Sequence, residues 1–291
     1  MQTSGAVLDN ALDRVSALDF EIPNPFVNHA PMACEALVAL GFEGSVNDWV
    51  QTFEASMGQA VQPVTPKWRS DFEWKNFVGD YRLLPEWMGY FERAIDDDGW
   101  RSVVSVWVPR FMPGLVAALF HGVIRTAHAV RALEGFDTPS RRAELSRALA
   151  NWATWLQNGQ PIADIGAAHI MPNAAAWAAA TSARYYVATP TVFNLHGVTG
   201  AMAVDLLAAH LSEAEIAAAI RQLRVEHELL FRDASPWVGE EYREWEDALA
   251  SAAVRSHDSH QVKLVEACRR GLNATGDVAF VLAAQTVTTP R

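Results

Sequence analysis

Apolar residues recur at intervals of three and four along almost the whole chain, and nowhere do they alternate with polar ones over the length of a strand. This spacing predicts an all-α fold, a multi-helix bundle read as one domain over residues 1–291, with at most a strand or two inside it. Proline, glycine and capping residues divide the pattern into segments. Helices are expected over 5–18, over 30–41 with Pro31 in the first turn and Gly41 at the end, over 45–57 and 85–95, and over 114–135, which has the clearest pattern of all, while 100–108 reads as helix or buried strand with helix favoured. Further helices are expected over 138–158 as a surface helix capped by Thr138, and over 174–186, 189–210 and 213–231, the last with Ser212 and Glu215 as a capping box. The final three are 240–254, 256–271 and 276–287.

The helix expected over 256–271 carries the most telling chemistry. With Ser256 as its cap and Gly271 at its end, it places His257, His260 and Lys263 along one face at intervals of three residues. A protonated lysine among core residues is costly unless it is paired, neutralised or modified. Other histidines stand on separate apolar segments. His29 lies just before a helix, His121 and His128 share a face two turns apart with Arg125 between them, and His196 sits beside Gly197 and Gly200. His210 and His227 read as surface or boundary residues, and His169 has no evident role.

Charge and composition narrow the partners. The net charge of -11, from 34 acidic against 23 basic side chains with no basic stripe, disfavours nucleic acid and leaves a small molecule as the expected ligand. Of the eleven tryptophans, five crowd the stretch from Trp68 to Trp107, and as a group they suit a flat aromatic ligand as well as core filling. Cys34 and Cys268 form neither a disulfide framework nor a CxxC site. With no basic n-region ahead of an apolar run and no stretch of eighteen apolar residues, the expectation is a cytoplasmic protein without a membrane partner. The alanine-rich helices are compatible with a homodimer.

Spacing excludes HExxH, the Glu-x-x-His pairs of carboxylate di-metal bundles, a Gly-rich dinucleotide fingerprint, a phosphate loop and a GxSxG elbow. What is left is a set of imidazoles suited to iron, copper or zinc, with satisfied core histidines as the competing reading.

Four motifs in sequence order, NHAPMACEALVALG, FHGVIRTAHAVRAL, NLHGVTGAMAVDLL and SHDSHQVKLVEAC, resemble the questin oxidase-like family over about residues 28–268. The resemblance implies a helical oxidoreductase, an O2-dependent oxygenase that opens polycyclic aromatic or quinone rings of the anthraquinone type, in Baeyer–Villiger fashion or by dioxygenation. It implies a mononuclear non-heme iron held by His29, His121, His196, His260 and a carboxylated Lys263. Fungal members tend to carry a second histidine where this chain has Arg125, and His128 has no clear counterpart, so Arg125 and His128 are expected as catalytic groups beside the substrate. Trp68, Trp107 and His257 are expected to bind the substrate. NADPH is a candidate co-substrate; without a dinucleotide fingerprint it would bind unconventionally or act through a partner. Two alternatives stay open at this point, a zinc hydrolase using a metal-bound water and a metal-free polyketide-binding or cyclase-like protein in which histidines act as acid–base groups.

Overall fold

The computed structural model describes residues 4–21, 27–66, 73–156, 171–230, 234–239 and 243–289, and thirteen α-helices account for most of them. In chain order these are α1 (Ser4–Ser16), α2 (Ala30–Ala39), α3 (Val46–Ser56), α4 (Leu84–Asp98), α5 (Trp100–Phe111), α6 (His121–Gly135) and α7 (Pro139–Trp155). They continue as α8 (Ala174–Ala188), α9 (Val192–Leu207), α10 (Glu213–Leu230), α11 (Asp247–Ser256), α12 (Ser259–Thr275) and α13 (Ala279–Thr288). One small antiparallel ribbon accompanies them: β1 (Leu18–Glu21) pairs with β2 (Met57–Gln59), with Leu18 opposite Gln59 and Glu21 opposite Met57.

The ends of several helices follow directly from local chemistry. Thr138 accepts a hydrogen bond from the Arg141 N–H and Pro139 begins α7, the arrangement its Thr-Pro sequence predicts. The Ser212 N–H donates to Glu215 Oε2 at 2.7 Å while the Glu215 N–H donates back to Ser212 Oγ at 3.3 Å, closing the capping box of α10.

Helices α2, α6, α9 and α12 form the centre. α6 packs on α2, α7 and α9, and α12 packs on α2, α9, α11 and α13. Their facing residues are almost entirely excluded from solvent: Met32, Val123, Val198, Met202, Val262 and Val265 are at most 0 % exposed. At roughly 1.5–3 kcal/mol for each fully buried aliphatic side chain, this layer holds the four helices in register. The segment 192–210 is long and apolar enough to cross a membrane by composition, yet 67 % of it is buried inside this protein.

Four expectations need correction. The segment 114–135 is not one helix: after a 3-10 turn at Met112–Gly114, residues Ala118, Leu119 and Phe120 take positive φ (49°, 55° and 64°), and α6 starts only at His121. Helix α7 is not a surface helix, because most of its residues are buried and its Arg141 and Glu144 turn inward and are paired there. Arg141 reaches Asp9 (Nε to Oδ1, 2.7 Å) and donates to the Ala132 carbonyl, and Glu144 holds Arg125.

The segment 256–271 is also displaced. Asp258, not Ser256, caps α12 by accepting from the His260 N–H, and α12 runs past Gly271 to a left-handed Gly276. Gly271 lies inside the helix, where its missing side chain leaves room for the Phe280 ring. Finally, His227 is buried, at 7 % exposed, and its Nε2 lies 2.6 Å from Ser182 Oγ.

Candidate metal centre

Four histidines from four helices meet in the middle of the bundle. His29 caps α2, His121 opens α6, His196 sits one turn into α9 and His260 lies in the first turn of α12. Their rings form a closed circuit, with centroids 4.8 Å apart for His29–His121, 4.6 Å for His121–His196, 5.2 Å for His196–His260 and 4.7 Å for His260–His29. His29, His121 and His196 are 5 %, 2 % and 1 % exposed. The His260 side chain keeps 28 % of its surface.

The tautomers follow from the neighbours. His121 Nδ1 lies 2.6 Å from the Ala118 carbonyl and His196 Nδ1 lies 2.7 Å from the Val192 carbonyl. A carbonyl oxygen only accepts, so both rings carry their proton on Nδ1 and present an Nε2 lone pair. Those two Nε2 atoms face each other at 3.2 Å, and the His29 Nε2 approaches that of His121 at 2.8 Å. Two opposed lone pairs repel unless a positive centre lies beside both. Nitrogens bound to one ion at about 2.0–2.1 Å lie about 3 Å apart when they subtend a right angle, so the spacing fits a shared metal ion. His29, His121 and His260 offer ligand atoms all within 4.8 Å of one another, and this buried cluster is able to hold a metal.

Electrostatics keep the rings neutral. Burial is the first cause for all four histidines, with the positive charge of Lys263 adding to it: His29 and His196 are held well below the ordinary histidine value, His121 is pushed down to about 3, and His260 is lowered as well, against the pull of Asp258. Three of the rings also stand at helix N-termini, whose partial positive charge disfavours imidazolium. Lys263 itself is 1 % exposed, one turn along α12 from His260.

The backbone before α6 explains why the motif reads Phe-His-Gly. The left-handed run at 118–120 brings the Ala118 carbonyl back over His121, and each such residue costs about 1–2 kcal/mol, so packing must hold it. The Phe120 ring lies where a side chain at position 200 would be, and the Trp152 ring lies against Gly122 in the same way. A Cβ on Gly200 would come within 2.5 Å of Phe120 Cδ1. Gly200→Ala is therefore expected to destabilise the protein by about 1–3 kcal/mol and to lower its metal occupancy by shifting Phe120 and His121 together. Denaturant midpoints and elemental analysis check this, and an unchanged value in both would show that Phe120 does not position His121.

A second polar layer lies on the same helices, and of its members only His128 is singled out by the sequence. Glu35 of α2 accepts from Arg131 of α6 (Nε to Oε1, 2.7 Å) and meets His128 Nδ1 at 2.6 Å. Arg131 also pairs with Glu266 of α12, which in turn accepts from Arg270 Nε at 2.7 Å. Burial by itself would raise the Glu35 carboxyl, but the Arg131 charge and the His128 hydrogen bond hold it down to about 2. These ion pairs tie α2, α6 and α12 together behind the histidines, and a buried pair of this kind costs about 3–5 kcal/mol when one partner is removed.

The other expected site residues lie elsewhere. Arg125 forms a two-point pair with Glu144 (2.7 and 2.9 Å), and the void it shares with His128 is about 10 Å³, room for one water and not for a substrate. Trp107, 2 % exposed, is enclosed by Trp74, Trp87, Tyr90, Phe91 and Phe111, whose rings pack on it mostly edge to face at 5.2–5.6 Å. Its faces are taken by its neighbours. His257 is exposed, adopts φ +52° at the end of α11, and stacks on Trp49 at 5.2 Å instead of facing the other histidines. Trp68 and His169 lie outside the described residues.

The model of the questin oxidase-like family matches residues 26–134, the part of the chain that carries His29 and His121. No curated protein matches the chain.

Proposed function

We propose, taking the questin oxidase-like match as premise, that the chain is an O2-dependent oxygenase that acts on a polycyclic aromatic or quinone substrate at a mononuclear iron. The observation that carries this reading is the pair of fixed Nε2 lone pairs, on His121 and His196, turned toward one another at 3.2 Å in a water-poor core. Iron supplies the one-electron chemistry by which dioxygen reacts with a closed-shell organic substrate.

The protein's own groups have defined tasks in this reading. Backbone carbonyls at Ala118 and Val192 hold the imidazoles of His121 and His196 in the ligating tautomer. His29 and His260 complete the nitrogen set. Four neutral imidazoles and three helix N-termini supply no negative charge to balance a divalent ion, and an ammonium at Lys263 would oppose it. Carboxylation resolves this: the neutral amine adds carbon dioxide and releases a proton, and the resulting carbamate is an anionic oxygen donor. The apolar residues of α6, α9 and α12 keep water from the inner side of the site, around His29, His121 and His196.

The test is oxygen consumption with a hydroxyanthraquinone, measured with metal-free, Fe(II)-loaded and Zn(II)-loaded protein, each with and without NADPH. Substrate-dependent oxygen uptake by the iron form alone is the expected result. Turnover by the zinc form without oxygen, or by metal-free protein, would overturn the oxygenase reading.

A further inference from the structure

One cavity reaches the histidine circuit from outside. It measures about 710 Å³, within the range of roughly 300–1,000 Å³ typical of small-molecule sites, whereas the two other cavities described measure about 10 and 40 Å³. His260, the most exposed of the four histidines, forms part of its wall. Tyr186 and Leu195 line it from α8 and α9, and Arg255, Asp258 and Gln261 from the junction of α11 and α12.

The two charges in this wall differ in what they are free to do. Asp258 is engaged locally: it caps α12 through the His260 N–H at 2.8 Å and lies 3.5 Å from His260 Nδ1. Arg255 is an exposed guanidinium at the end of α11 that takes part in no ion pair with a described residue. By contrast Arg125, the cation expected from the sequence to face the substrate, is committed to Glu144.

We propose that the substrate lies in this cleft over His260 and is an acidic aromatic, a polycyclic ring bearing an ionised carboxyl or phenol that pairs with Arg255. Tyr186 and Leu195 offer the ring system an apolar wall, and Gln261 offers an amide to a carbonyl or hydroxyl. The guanidinium suits a carboxylate because its planar fork donates two parallel hydrogen bonds. The assignment rests on the oxygenase reading only for the word substrate; the binding it describes does not need a metal.

The experiment measures quenching of tryptophan fluorescence in the full chain by anthraquinone-2-carboxylate and by uncharged 2-methylanthraquinone. It compares wild type, Arg255→Ala, Arg255→Lys and Ala252→Trp, with metal content determined in each. Arg255→Ala is expected to weaken the carboxylate by about tenfold, the loss of one charge-assisted contact. Arg255→Lys should recover most of that loss, the uncharged ring should bind both equally, and Ala252→Trp, which fills the cleft, should weaken both probes. Equal affinity of wild type and Arg255→Ala for the carboxylate, no effect of Ala252→Trp, or no binding to wild type would overturn the proposal. The expected pattern in protein that takes up no metal even on anaerobic reconstitution would support the cleft and overturn the metal-centre reading, so the two fail separately.

Discussion

Replacing His121 with alanine is expected to strip the protein of metal, lowering affinity by more than the roughly 10- to 100-fold typical of losing a supporting hydrogen bond around a metal. His121 touches two neighbours of the circuit, with its Nε2 2.8 Å from that of His29 and 3.2 Å from that of His196. Its loss therefore removes one donor and releases the two rings beside it. The metal-free variant should still fold, because the helices around the ring are held by the apolar layer and by the Glu35–Arg131–Glu266 pairs. Elemental analysis and circular dichroism on the same samples provide the check. A His121→Ala protein that keeps wild-type metal content would place the ion elsewhere.

Acid is expected to unfold the metal-free protein in a range where most proteins of this size remain folded. His29, His121 and His196 sit below the ordinary histidine value in the folded state, chiefly through burial, and buried His227 is pushed down to about 4. The sign is unambiguous. Above about pH 6.5 these groups are neutral in both states and stability is intact; as pH falls below that, the unfolded chain takes up protons that the folded chain refuses. Each such histidine removes about 1.4 kcal/mol per pH unit until its folded value is reached. Four together match a typical total stability of about 5–15 kcal/mol within two to three units. Urea midpoints of metal-free protein should therefore fall steeply between pH 7 and pH 5, while bound metal, by binding the neutral rings, should flatten the fall. A midpoint that stays constant over this range would mean that these imidazoles are not held neutral by burial.

The helical class was legible because the spacing of apolar residues runs through nearly every segment, and caps such as Thr138 and Ser212 mark starts in the sequence itself. The left-handed turn before His121 was not legible. GLVAALF has the composition of a helix, and only Gly200 on a distant helix, against which Phe120 packs, shows why the segment bends. Gly197 and Gly200 after His196 signal a close helix approach, but spacing alone does not name the partner.

The tryptophans misled for a related reason. A large flat ring reads equally well as a ligand surface or as filling, and Trp107 turned out to face Trp87 and Phe91. Charged residues deep in helices do not read as buried, because charge suggests solvent. Glu35 follows His29 by six positions, and Glu266 follows His260 by six, so both lie nearly two turns along the helices that bear the histidines. That shared offset was the signal available in the sequence. The cleft beside Arg255 had none, since it is assembled from five helices that only the fold brings together.

The central claim, a metal ion held by the histidine circuit, is tested most directly by an X-ray absorption spectrum of protein purified without chelators. The predicted result is close to one ion per chain, at the iron edge, with the ring-scattering pattern of several imidazoles at about 2.0–2.2 Å. A sample without stoichiometric metal after anaerobic reconstitution, or an ion whose nearest shell lacks imidazole, would contradict it.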